Sequence, residues 1–188
     1  MNPRSVILVE GVSDRVAVLT LARRLGRDLA AEGVDVVPLG GATNVGRWLG
    51  ELAAGADHGR GVRLTGLYDV AEERFFRRGL ERAGLGLVPD RETLERRGFF
   101  GCVEDLEDEL IRALGVPGVE AVVQAQGELA SLRLLQRQPA QRGREPDQQL
   151  RRFLGTRSGR KATYAAALVE ALDLTRVPAP LAGLLARV

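Results

Sequence analysis

Residues 6–15, "VILVEGVSDR", decide how this chain is read. The apolar run Val6 to Val9 has strand length and suits a strand covered on both faces. It ends on a carboxylate, Glu10, followed by a turn glycine, Gly11. Ser13 is read as the N-cap of a helix, with Asp14 in its first turn. Val18, Leu21, Ala22, Leu25 and Leu29 then recur at helical spacing, and Gly33 is expected to close that helix. A buried strand that delivers one acid, with a second acid one turn later, raises the question of what gathers there.

The same unit repeats outward from this point. "VDVVPL" (34–39) is a second strand, and "GGATN" a Gly-Gly turn in which Thr43 or Asn44 caps a helix carrying Val45, Trp48, Leu49 and Leu52. "VRLTGLYD" (62–69) is a third strand that again ends on an acid, followed by the helix "AEERFFRRGLERAG". "GFFGCV" (98–103) is a fourth strand, and "EDLEDELIRALG" an acidic helix stopped by Gly115 and Pro117. This alternation predicts an α/β fold, a mostly parallel four-stranded sheet flanked by helices. Ligands in such sheets gather at the carboxyl ends of the strands.

Beyond Pro117 the pattern turns helical. "GVEAVVQAQGELASLRLLQRQ" reads as one long amphipathic helix and "PAQRGREPDQQ" as a polar linker. "LRRFLGT", "SGRKATYAAALVEALDL" and "PAPLAGLLARV" read as further helices. The expected division is an acid-bearing, metal-binding domain over 1–116 and a helical extension over 117–188 that carries a basic segment and Lys161.

Composition narrows the chemistry. The chain has 188 residues and a net charge of +2. Residues 1–120 carry four more acids than bases, and residues 121–188 six more bases than acids. The single cysteine, Cys102, excludes a disulfide framework and a multi-thiolate zinc site. The single histidine, His58, lies in "GADHGRG" and reads as a surface residue. No apolar run approaches a membrane span, and the first strand begins too early for a signal peptide. A cytoplasmic protein without a membrane partner is expected. All 27 basic residues but one are arginine, and Lys161 is the exception. A compact, tunable point charge is what arginine cannot supply.

Acids at successive strand ends, without His or Cys ligands, suit a hard divalent cation such as Mg²⁺. Two such ions activate water and steady the leaving oxygen in phosphodiester chemistry, and Lys161 would neutralise charge on the phosphoryl group. In the acidic helix, Leu106, Leu110, Ala113 and Leu114 define the apolar stripe. At about 100° per residue, Glu107 and Glu109 flank it while Glu104 and Asp108 lie opposite. Glu107 is the first choice for the site and Glu109 the second, with Asp105 serving the helix N-terminus. The expected metal ligands are Glu10, Asp14, Asp69 and Glu107. Arg142, Arg144, Arg151, Arg152, Arg157 and Arg160 are the candidates for holding nucleic-acid phosphates.

"VILVEGVSD", "VVPLGGATN", "LTGLYD" and "CVEDLEDEL" resemble the Toprim domain of topoisomerases, primases and nucleases. The form they are most similar to is the OLD (overcoming lysogenization defect) family, where this domain usually follows an ABC-type ATPase. The resemblance covers residues 5–115 and continues in "SGRKATYA". It implies that Glu10 and Asp14 belong to the first motif, Asp69 to the second, Glu107 to the third, and that Lys161 is the late lysine. Mg²⁺ or Mn²⁺ would be the cofactor and DNA the substrate, with Glu10 and Lys161 catalytic. The chain departs from the pattern at the second motif, usually D-x-D, which reads Asp69-Val70-Ala71 here. Glu72 and Glu73 are the nearest replacements, and a second metal loses its usual ligand. No G-x-x-x-x-G-K-[ST] phosphate loop occurs in the sequence. The resemblance therefore implies a free-standing Toprim protein that works with a separate ATPase or a second copy of itself.

Two functions compete. One is a divalent-metal-dependent DNA endonuclease. The other is a catalytically degenerate module that binds metal or nucleic acid as a regulatory or assembly subunit. Primase-like nucleotidyl transfer is weaker, because no template- or zinc-binding element accompanies it. Aromatic residues are too few for a single-strand stacking platform.

Overall fold

The computed structural model describes residues 3–54, 62–155 and 159–188. His58 and Arg157 lie outside the described residues. Four parallel strands, β1 (Ser5–Val9), β2 (Val34–Pro38), β3 (Arg63–Asp69) and β4 (Phe99–Cys102), form one sheet in the order β2-β1-β3-β4. The helices among the described residues are α1 (Val12–Arg24), α2 (Val45–Ala54), α3 (Glu73–Arg82), α4 (Arg91–Arg96), α5 (Leu106–Ala125), α6 (Leu129–Gln136), α7 (Pro146–Leu154), α8 (Arg160–Ala171) and α9 (Ala179–Leu185). The expected α/β architecture is present, with every strand pair parallel.

β1 is buried along its whole length, which is why it reads as a continuous apolar run. Successive side chains point to opposite faces. Val6 and Leu8 join Leu49, Tyr68, Phe76, Leu80 and Leu94 on the face covered by α2, α3 and α4. Ile7 and Val9 face the other way, into a cluster with Val18, Leu21, Leu110, Leu168 and Leu184. That cluster joins residues on both sides of position 117, because α8 lies along α1 and α9 packs on β3 and β4. Each fully buried Leu or Val there contributes about 1.5–3 kcal/mol. The chain leaves β1 for β2 on one side and returns to β3 on the other, so the carboxyl ends of β1 and β3 form the switch point where such sheets bind ligands.

Several local expectations need correction. Gly11, not Ser13, is the N-cap of α1. That helix stops at Arg24, well before Gly33. Gly26 (φ 77°) takes the left-handed position, with Arg27 N–H donating to the Ala22 carbonyl and Gly26 N–H to that of Arg23. This is the Schellman arrangement, which closes a helix at a glycine. The same pairing at Gly127 (φ 73°), Glu128 N–H to Val123 and Gly127 N–H to Gln124, splits the expected long amphipathic helix into the end of α5 and α6. The acidic helix is interrupted at Gly115, whose backbone (φ 70°, ψ 162°) is not helical, but it resumes immediately. The expected linker ends early, since Pro146 occupies the first helical position of α7. α4, capped by Asp90 accepting from Thr93 N–H at 2.8 Å, is an element that the sequence pattern did not announce.

Candidate functional site

The acids reach one edge by simple local means. Glu10 follows β1 directly, and its backbone carbonyl accepts N–H groups from Gly40 (3.1 Å) and Gly41 (3.2 Å). The Gly-Gly turn after β2 is thereby tied to the end of β1. Asp14 stands at the third position of α1 and accepts the Gly11 N–H at 2.8 Å, closing the helix start. Asp69 is the last residue of β3 and pairs in register with Cys102 of β4. Asp105 caps α5 by accepting from Asp108 N–H at 2.9 Å, which sets Glu107 in the first turn, only 5% exposed.

Lys161 arrives from far along the chain. The C-terminal end of α8 is fixed to α1 by Arg24, whose Nη1 donates to the carbonyls of Val169 and Leu172, both at 2.7 Å. Arg23 adds an ion pair with Glu170. A cation at the end of a helix satisfies its last carbonyls and its dipole. With α8 so docked, its first turn brings Lys161 Nζ to 3.2 Å from Glu107 Oε2.

Glu10, Asp14, Asp69, Asp105, Glu107 and Lys161 line one cavity of about 290 Å³, with Gly11, Ser13, Gly40, Gly41 and Leu106. So the four expected acids and the lysine come together. Their electrostatics are those of crowded anions. Burial first, then its neighbours Glu10 and Asp14, pushes the Asp69 carboxyl up to about 7. Burial raises Asp14 to about 6, against the stabilising Gly11 N–H. Glu10 is raised by burial and then by Glu72, partly offset by Lys161. Lys161 is half-buried, which opposes its charge, yet Glu107 together with Asp105 and Asp14 holds its pKa above the ordinary lysine value.

The secondary choices separate. Glu109 is buried, but it accepts the Val103 N–H at 3.0 Å, pairs with Arg112 at 2.6 Å and does not line the cavity. Glu73 is taken by Arg91 (3.0 Å) and Arg77 (3.7 Å). Glu72 lies outside the cavity lining, yet its charge acts on Glu10. Ala71 is exposed.

A second cavity, of about 470 Å³, adjoins the first and shares Asp105 and Lys161 with it; Arg144, Gln148, Arg151, Arg152 and Gly155 complete its wall. Of the candidate phosphate contacts, Arg144, Arg151 and Arg152 are therefore together beside the acids. Arg151 is already engaged, with Nε 2.8 Å from Asp105 Oδ2 and Nη1 3.2 Å from Glu104. Arg142 is exposed outside this cavity, its Nε donating to the Arg137 carbonyl at 3.2 Å. Arg160 is buried, lying 4.2 Å over the Phe153 ring and paired with Glu128 at 2.8 Å. Asp105 is the residue that sequence reasoning assigned to the helix end alone. It does cap the helix, and it also forms the wall between the two cavities; the signal was its place in "EDLEDEL" next to the chosen Glu107.

The donor set suits a hard cation. It is all oxygen, four of the carboxylates lack any compensating charge but Lys161, and Glu107 Oε1 is buried without a hydrogen-bond partner. As the side chains stand, no three acids among the described residues are close enough together to hold an ion. A cation would require the carboxylates to move inward.

Residues 3–54 match the family model described as "Overcoming lysogenization defect protein-like, TOPRIM domain". No curated protein matches the chain. Among solved structures, the C-terminal region of the Xanthomonas campestris pv. campestris OLD protein is similar, at 25% identity and TM-score 0.70 over 98% of this chain and 91% of that one. The C-terminal region of the Burkholderia pseudomallei OLD protein matches at 21% identity and TM-score 0.67, over 100% of this chain and 97% of that one. No helix among the described residues is long and apolar enough to cross a membrane. Sequence pattern and architecture agree: residues 3–54 match the OLD-like Toprim model, and the chain has a Toprim-like α/β fold similar to that of the C-terminal regions of OLD proteins.

Proposed function

We propose that the protein is a Mg²⁺- or Mn²⁺-dependent nuclease that hydrolyses DNA phosphodiesters, with Glu10, Asp14, Asp69 and Glu107 as the ligand set. The observation that carries this is the contact between an acid-lined cavity and an arginine-lined one across a shared wall of Asp105 and Lys161. A bound divalent ion supplies Lewis acidity at the phosphoryl oxygen and lowers the pKa of a coordinated water. The protein's own groups do the rest. The side-chain carboxylates of Glu10 and Asp69 have no hydrogen-bond or ion-pair partner among the described residues, so both are available to a cation. Lys161, oriented by Glu107, presents its ammonium to the phosphoryl oxygens as negative charge builds on them. Arginines of the second cavity hold the backbone. An ATPase, on a separate chain or elsewhere in the same one, or a second copy of this chain is the expected partner.

Two observations favour the alternative, a module that binds without turnover. The second motif ends in Ala71, and among the described residues no three acids stand close enough to hold an ion together. Supercoiled plasmid incubated with Mg²⁺ or Mn²⁺ separates the two. Nicking by the wild type and its loss in both Glu10→Ala and Lys161→Ala supports the nuclease. Mn²⁺ binding by calorimetry, lost in Glu10→Ala, with no nicking at all supports the module.

A further inference from the structure

The arginine-lined cavity has a more specific use than a general basic surface. Its cations are not equivalent. Arg151 is spent on Asp105 and Glu104, holding α7 against the start of α5. Arg144 and Arg152 line the same cavity, are exposed, and have no ion-pair partner among the described residues. Gln148, one turn before Arg152 on α7, adds an amide that donates two hydrogen bonds. The one acid in the wall, Asp105, is paired with Arg151 and accepts the α5 cap N–H, so its repulsion of an anion is weakened relative to a bare carboxylate.

We infer that Arg144, Arg152 and Gln148 form a discrete phosphate subsite that takes the DNA backbone phosphate adjoining the one at the acid-lined cavity, with Lys161 between the two. Naming DNA as the ligand rests on the nuclease reading; the existence of an anion site does not. Guanidinium forks match phosphate oxygens in a way a diffuse positive surface does not. Because the two cavities adjoin across the shared residues Asp105 and Lys161, one ligand with at least two phosphates would reach both. On the nuclease reading, that ligand is a polynucleotide. The arginines divide accordingly: Arg151 and Arg160 brace the fold, and Arg144 and Arg152 contact the ligand.

The test is binding of a short labelled DNA duplex in EDTA, measured across a salt series. Under these conditions no cleavage enters the result. Arg144→Ala/Arg152→Ala removes two phosphate contacts, so the slope of log affinity against log salt falls by about 2. Affinity at low salt falls by at least roughly tenfold. Arg78→Ala/Arg82→Ala, which removes the same charge from α3 on the opposite face of the sheet, serves as the control. Equal losses in the two double variants reduce the effect to net charge and overturn the subsite, as does an unchanged slope in the first. Inorganic phosphate is titrated as a second probe. Binding of phosphate that is lost in Arg144→Ala/Arg152→Ala, with duplex binding unchanged, assigns the cavity to a free anion and overturns the assignment to DNA. Plasmid nicking with Mn²⁺ is scored separately, so a silent nuclease with an intact subsite is distinguishable from an active nuclease without one.

Discussion

Lys161 Nζ and Glu107 Oε2 lie 3.2 Å apart, joining the start of α8 to the first turn of α5 across 54 positions of sequence. The pair is asymmetric: Glu107 is 6% exposed at its side chain and Lys161 50%. Lys161→Ala leaves a buried carboxylate without its ammonium. Because the lysine is half in solvent, the cost is discounted to about 1 kcal/mol. Lys161→Arg keeps the charge and is expected to keep stability, yet to lower plasmid nicking at least tenfold, since a planar fork does not replace a compact ammonium. Urea melts beside nicking rates check both halves. An arginine variant as active as wild type removes the special role of the chain's only lysine.

Asp14 and Asp69 make the fold sensitive to pH in a defined direction. Their folded pKa values, about 6 and about 7, stand above the unfolded aspartate value of about 3.9. Between about pH 4 and 7 the folded state thus holds protons that the unfolded chain has released, and stability falls as pH rises through that window. Each group contributes at most about 1.4 kcal/mol per pH unit there. In EDTA the protein is expected to be less stable at pH 8 than at pH 5. Asp69→Asn removes much of the difference and is more stable than wild type at pH 8. Identical pH profiles for the two proteins would show that Asp69 is not held in its neutral form.

The α/β architecture was legible because strand and helix periods alternate cleanly. Glu107 was legible because Leu106 and Leu110 fix the helix orientation. What escaped the sequence depends on single residues and on distant contacts. Gly26 and Gly127 end helices whose apolar spacing continues past them, and periodicity alone does not register a Schellman closure. Leu29 kept the helical spacing yet is buried in the core from a turn. Arg160 looked like one more basic surface residue, whereas Phe153 and Glu128 hold it inside; nothing local to "GRKA" announces that. The proximity of Lys161 to Glu107 follows only from the packing of α8 on α1.

The Asp69-Val70-Ala71 departure has a testable consequence. Glu73 is engaged by Arg91 and Arg77, so Glu72, whose charge acts on Glu10, is the acid left to supplement the site. Glu72→Ala is expected to weaken Mn²⁺ binding several-fold in calorimetry, and Glu73→Ala to leave it unchanged. Ala71 is exposed, so Ala71→Asp changes stability by no more than about 0.5 kcal/mol. It is expected to strengthen Mn²⁺ binding by restoring a hard oxygen donor. If neither Glu72→Ala nor Ala71→Asp alters binding, the 71–72 positions lie outside the metal's reach.

Arg160 gives the sharpest separation of structural from ligand-binding arginines. Its Nη1 donates to the Phe153 carbonyl at 3.0 Å, its Nη2 reaches Glu128 at 2.8 Å, and its guanidinium lies over the Phe153 ring. Tyr164 O–H donates to the other Glu128 oxygen at 2.9 Å, so one carboxylate joins the start of α6 to α8. Arg160→Ala takes a buried cation away from Glu128 and empties the space over Phe153, at a cost of about 2–4 kcal/mol. Arg160→Lys recovers less than half of that, because a point charge neither stacks on Phe153 nor reaches both acceptors. Arg152→Ala, next to Phe153 in sequence but exposed, is expected to change stability by less than about 0.5 kcal/mol. Equal destabilisation by Arg152→Ala and Arg160→Ala in urea melts would contradict this division, since it would make Arg152 a second brace rather than a residue free to meet a ligand.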